Sequence, residues 1–234
     1  SRFFMRAIKK NNSAISEKEP FKGLFTQGMV CHETYKDTND KWLAPDEIEK
    51  IDDTHFIKSS DRTKVKIGPS ESMSKSKKNV IDPEHMIKTY GADAVRWFIL
   101  SDSPPEKDVQ WSNQGVNSAY KFLQKIYNLS NLITERLEQK NLKDKEFEIK
   151  FNKYIIKISK LIEDFHLNVV IANIYSIYSF LASAVEEEIS NKCLKKNFSN
   201  FIKILIPFTP HLAHECLEQL KVRDIDKWPE VNNK

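Results

Sequence analysis

The sequence predicts a mainly α-helical protein with a small β-rich portion near its start. Glycine is scarce, 5 in 234 residues, too few for a complete nucleotide-binding sheet with its tight phosphate turns. From about residue 113 onward, apolar residues recur at i, i+3, i+4 spacing in successive stretches, the mark of helices with one buried face. The β-like pieces are short and lie mostly before residue 70. A length of 234 residues suits one or two domains, at ~100–200 residues each.

Taken in order, Ser1 to Lys10 reads as the end of a helix, with Phe3, Phe4, Ala7 and Ile8 on one face. Asn11 to Pro20 is a polar connection. Leu24 to His32 is expected to be a buried strand of a sheet begun upstream. Tyr35 to Gly68 contains short extended pieces, His55 to Ile57 and Lys64 to Ile67, between charged turns such as Asp52-Asp53. A serine- and lysine-rich loop follows, from Glu71 to Asn79. Asp82 is a good N-cap, Pro83 suits the first helical position and Glu84 complements the helix dipole. The helix they start should end at Tyr90, stopped by Gly91.

A second helix is expected from Ala92, capped by Asp93, with Val95, Trp97, Phe98 and Leu100 inward; Pro104-Pro105 ends it. Val109 to Trp111 is a brief extended piece, and Ser112 or Asn113 can cap the next helix. Trp97, Phe98 and Trp111 belong to the core. One helical stripe comprises Val116, Ala119, Tyr120, Leu123, Tyr127, Ile133 and Leu137. A second runs from Phe147 to Phe165, a third from Val169 to Ile189, and a fourth from Phe198 to Ile206, ended by Pro207. Pro210 opens a last short helix capped by Thr209. Consecutive amphipathic helices with short links pack as an antiparallel bundle.

Charged residues make up 30% of the chain and the net charge is +4, so RNA contact is permitted but not demanded. No apolar run approaches the ~20 residues needed to span a bilayer, and no signal peptide is evident, so a cytoplasmic protein is expected. Three cysteines, Cys31, Cys193 and Cys216, lack zinc-ligand spacing and should be reduced and buried. His211 and His214 stand i, i+3 without a further ligand pair, and Cys31 and His32 point to opposite faces of a strand. No metal site, and no zinc, is expected.

Three features carry candidate chemistry. The hydroxyl-rich loop can wrap a phosphate chain, with Lys75 supplying a mobile cation. Lys150, Lys153, Lys157 and Lys160 form a stripe beside the apolar face of the second helix; such a ridge tracks a phosphate backbone or is a solvated face. Arg96, beside aromatics, pairs with a carboxylate or touches RNA.

The segment Ser72-Met73-Ser74-Lys75-Ser76 resembles the KMSKS signature of class I aminoacyl-tRNA synthetases. Phe25 to Val30, Tyr90 to Arg96, Ser103-Pro104-Pro105 with Trp111, and Pro207 to Ala213 look like the leucine-specific, bacterial-type members, in the same order. The resemblance implies the end of a Rossmann-type catalytic domain at 1–34 and a β-rich insertion at 35–69. The KMSKS loop and stem-contact region would occupy 70–112, and a helical tRNA-binding bundle, similar to an anticodon-binding domain, 113–234. It implies ATP binding by Ser72, Met73, Ser74, Lys75 and Ser76, with Lys75 catalytic. It further implies magnesium carried with ATP, leucine and tRNA(Leu) as partners, tRNA contacts at Arg96 and the lysine stripe, and a monomeric enzyme. The sequence departs from the signature at Ser72, where the family usually has lysine; Lys77 or Lys78 would then stand in. This segment alone is not expected to aminoacylate. The alternatives are a synthetase for isoleucine, valine or methionine, or a non-catalytic helical RNA-binding module.

Overall fold

The structure, a computed structural model, describes all residues except 13, 15, 18, 53, 54, 226 and 232–234. Helix α1 (Arg2–Asn11) contains no buried residue, and Phe3 and Phe4 lie largely in solvent. Strand β1 (Val30–Lys36) is the centre of a small mixed sheet. It pairs antiparallel with β5 (Lys66–Ser72) and with β2 (Trp42–Leu43), and parallel with β6 (Val109–Gln110). A separate hairpin joins β3 (Ile48–Lys50) to β4 (Phe56–Lys58). Tyr35, Leu43 and Val65 form a second, minor core under it.

The expected strand from Leu24 to His32 is only partly a strand. Residues 24–29 belong to no strand, and Leu24 and Met29 are exposed. An apolar composition alone does not make a strand; β1 begins where pairing partners exist, β6 and β5 on its two sides. Gly28 still has a steric reason. Its N–H donates to Pro105 O at 2.9 Å, and a Cβ there would lie 2.0 Å from Lys107 O.

Helix α2 (Pro83–Tyr90) starts as expected, the Asp82 carboxylate accepting from the Glu84 N–H. Gly91, with φ 81°, turns the chain directly into α3 (Ala92–Asp102), a conformation that disfavours any residue with a Cβ. α4 (Asn113–Glu135) is capped by the Ser112 hydroxyl. α5 (Asp144–Glu163), α6 (Leu167–Ala184), α7 (Asn191–Leu205) and α8 (Pro210–Gln219) complete the bundle. The third stripe therefore stops at Ala184, and the fourth helix begins at Asn191, where the Ser190 hydroxyl accepts from Cys193 N–H. Leu137 lies beyond α4 and is exposed, and Phe165 sits past the end of α5 at φ 57°, so neither belongs to the buried stripes.

Phe151, Phe198, Phe201, Ile126, Ile155 and Ile174 fill the bundle's core; each such side chain is worth about 1.5–3 kcal/mol relative to exposure. α6, with mean hydropathy 1.4 over 18 residues, has the length and composition of a membrane span, unlike the sequence expectation. Here Val170, Ile171, Ile174, Ile177 and Leu181 are buried against the other helices. Cys31, Cys193 and Cys216 are buried free thiols. Burial pushes the Cys193 and Cys216 thiols up to about 11, which leaves both protonated and unreactive at neutral pH.

α3 ties this bundle to the sheet. Trp97 is fully buried and its indole N–H donates to the Tyr175 hydroxyl at 3.1 Å. Phe98 packs edge-on against Trp111, the residue after β6. Asp93 does not cap its own helix. Its carboxylate accepts from Leu212 N–H at 2.7 Å and faces His211 Nδ1 at 2.9 Å, capping α8. Thr209, expected in that role, instead directs its hydroxyl to Leu205 O.

Asn79 is the corresponding fastener at the other end. Fully buried, it accepts from Ser74 N–H at 2.8 Å and donates to His32 O and Glu71 O at 3.2 and 3.1 Å. It thus closes the loop after β5 onto the β1–β5 pair.

Asp93→Ala should destabilise the chain by about 1–3 kcal/mol, because a buried helix N–H loses its acceptor; an unchanged denaturation midpoint would mean that α8 starts by other means. Asn79→Ala should speed amide hydrogen exchange from Ser74 to Lys78 roughly tenfold or more, by removing buried bonds worth about 1 kcal/mol each. Equal protection in the variant would refute the fastening role.

Candidate functional site

The loop begins where β5 ends. Ser72 is still paired with Cys31 in the sheet, and Met73 N–H donates to Val30 O at 3.1 Å. The Ser74 N–H is held by Asn79. Lys75–Lys77 then form one turn of 3₁₀-helix, closed by Lys78 at φ 56° with its N–H on Lys75 O. The Ser74 and Ser76 hydroxyls are 2.7 Å apart. Ser72, Lys75 and Ser76 are exposed, and Met73 and Ser74 half-buried.

The loop's lysines differ in their engagements. Lys77 pairs with Glu71. Lys78 reaches Glu47 at 3.1 Å. For Lys75, no ion pair or hydrogen bond of the ammonium group is found among the described residues. Lys77 and Lys78, the lysines that would stand in for a charge missing at Ser72, are thus each paired with a carboxylate in this conformation. Glu47 is itself well fixed. Its carboxylate accepts from Ala44 N–H at 2.7 Å, and that bond, then Lys78, holds it below the usual carboxylate range. Burial lowers the pKa of His32, whose carbonyl receives Asn79.

Among the described residues, no carboxylate pairs with Arg96. Its guanidinium donates to Phe208 O at 3.0 Å and Pro207 O at 2.7 Å, bracing the carbonyls after α7. Two of its donors are thus committed to structure. The lysine stripe is exposed along α5, and Lys150, Lys153 and Lys157 surround a cleft of about 270 Å³ floored by Tyr154 and Phe180. Lys160 lies outside that lining, and Lys150 also contacts Glu146 at 2.7 Å. His211 is taken by Asp93, and among the described residues no group of three His, Cys, Asp or Glu is placed to hold a metal. Asp52 accepts from His55 N–H at 2.9 Å, whereas Asp53 falls outside the described residues.

Sequence reasoning overlooked Asn79, Glu47 and Glu71. The first closes the loop from a conspicuous position, a lone amide after a basic run, which is a legible signal. Glu47 lies 31 positions from its partner and carries no local sign of the contact.

Residues 66–112 match the family model "tRNA synthetases class I (I, L, M and V)", and residues 144–234 match "Anticodon-binding domain of tRNA ligase". The leucine–tRNA ligase of Rickettsia canadensis is 41% identical over 221 residues, covering 94% of this chain and 26% of that protein. That of Afipia carboxidovorans is 38% identical over 251 residues, covering 99% of this chain and 28% of the relative. The chain thus spans about a quarter of the length of these relatives. Among solved structures, a ternary LeuRS–tRNA–LeuAMS complex from Agrobacterium radiobacter K84 shares the fold, with TM-score 0.73, 23% identity, and coverage of 99% of this chain and 26% of that one. Mycobacterium tuberculosis methionyl-tRNA synthetase is similar over 63% of this chain and 35% of its own, with TM-score 0.54 and 15% identity. The chain belongs to the class I aminoacyl-tRNA synthetases, as a segment similar to the portion of leucine–tRNA ligases that joins the end of the catalytic domain to the anticodon-binding domain.

Proposed function

We propose that this portion serves ATP-dependent activation of leucine and its transfer to tRNA(Leu), contributing the signature loop and a tRNA-binding surface. A leucine carboxylate oxygen attacks the α-phosphorus of ATP, the bond to the bridging oxygen breaks, and pyrophosphate leaves with the negative charge. A cation that meets that charge most closely in the transition state raises the rate; one that binds ATP equally throughout only tightens binding. Lys75 takes this role, with Ser72, Met73, Ser74 and Ser76 shaping the nucleotide side of the loop. The observation that carries the proposal is an exposed lysine without a partner among the described residues, on a turn whose base is held by a buried amide. Magnesium would arrive on the triphosphate rather than on a cluster of this segment's own side chains.

The division into 1–34, 35–69, 70–112 and 113–234 belongs to this proposal, with the qualification that β5 runs unbroken across 69 and 70. The whole ligase is taken to act as a cytoplasmic monomer. On α5, Lys150, Lys153, Lys157 and Lys160 would neutralise tRNA phosphates without reading bases. Arg96 would add to that set: two of its donors brace the carbonyls after α7, and its exposed guanidinium keeps others for a phosphate.

In a complete leucine–tRNA ligase carrying this segment, Lys75→Ala should slow ATP–pyrophosphate exchange on the order of 100-fold or more; a rate equal to the parent's removes the assignment. Lys153→Ala with Lys157→Ala should weaken tRNA(Leu) binding and reduce the slope of log affinity against log salt by about two. An unaltered slope would identify the stripe as a solvated face.

A further inference from the structure

The two lysines after Lys75 are engaged in a way the proposed reaction does not require. Three of the four residues from Lys75 to Lys78 are lysines, and their mutual repulsion is relieved by carboxylates on two different elements. Lys77 is met by Glu71 on β5, and Lys78 by Glu47 at 3.1 Å on the turn before β3. Both acceptors sit on fixed backbone. Glu71 O receives Asn79. Glu47 is secured at both ends, its carboxylate by Ala44 N–H at 2.7 Å and its carbonyl by Ser59 N–H at 2.9 Å. The lysines are the movable partners, since the ion pairs are substantially open to water, with Lys78 and Glu47 side chains 50% and 39% exposed.

We propose that Glu47 and Glu71 are positioning residues that tether the signature loop through Lys78 and Lys77, and that the triphosphate of ATP displaces them. This deepens the proposed function and rests on it. Exposed pairs are individually weak, so each tether holds the resting loop yet yields to a ligand. A triphosphate carries several charges and competes for an ammonium group better than one carboxylate. Glu47 acts from the β-rich segment between β1 and β5, giving that segment a part in setting how readily the loop takes nucleotide. With both tethers made, Lys75 is the cation of the loop left available; with both released, three are.

The test is a pair of mutant cycles in a complete ligase carrying this segment and an intact Lys75. Glu47→Gln and Glu71→Gln should each lower the KM for ATP in pyrophosphate exchange about two- to fivefold, with a smaller change in kcat. The effect should vanish when Lys78→Gln or Lys77→Gln, respectively, is already present. An unchanged or raised KM, or the same change with and without the lysine, overturns the tether. So does a variant whose thermal midpoint moves while its KM does not, because that is a structural role only. Should Lys75→Ala leave exchange intact, the functional reading fails; should it abolish exchange while the cycles show no coupling, the tether alone fails.

Discussion

A solvent-exposed cation is presented at a defined place only if something else holds the chain around it. Here that something is the Asn79 side chain, which is 0% exposed. Burying an amide is unfavourable unless its donors and acceptor are used, and this one is satisfied on both sides. Its bonds join Ser74, at the start of the turn, to β1 and β5 beneath it. The loop is therefore short and fixed at both feet, with its exposed tip between them. Less conformational freedom then remains to be lost when a ligand closes on that tip.

From those feet a continuous set of contacts runs into the helical bundle. β1 accepts β6 in parallel register, Val30 against Val109 and Cys31 against Gln110. Trp111, next in the chain, packs on Phe98, and α3 then meets α6 through Trp97 and α8 through Asp93. Arg96 braces the α7 end from the same helix. On the far side, Arg136 performs a similar task, donating to Val185 O, Ile189 O and Glu187 O between α6 and α7. Both arginines donate to carbonyls of segments that follow a helix, Arg96 after α7 and Arg136 between α6 and α7, so each braces a connection of the bundle.

What could be read from the sequence was what depends on near neighbours. The starts of α2 and α4 were legible because Asp82 and Ser112 act on residues two and three positions away, and the bundle because its periodicity is local. The start of α8 was not, since its cap comes from Asp93, 119 positions from the N–H it accepts. Leu24 to Met29 misled because apolar composition predicts burial only when a covering element exists, and strand geometry only when pairing does. In the site, the signature loop and its central lysine were visible; the carboxylates that engage Lys77 and Lys78 were not, because ion pairing across a fold leaves no periodic trace.

The one departure from the signature can be understood from where it falls. Ser72 is the last residue of β5 and remains in register with Cys31, whereas Lys75 stands beyond the strand on the 3₁₀ turn. A charge at position 72 would ride on the rigid sheet. It would attract a triphosphate about as strongly before bond cleavage as during it, and so contribute mainly to binding. A charge on the turn can approach as the leaving oxygen becomes anionic, and only such differential contact lowers the barrier. Under the proposed reaction, serine at the strand end would weaken the initial attraction for nucleotide more than the chemical step, and the chemical step would rest on Lys75.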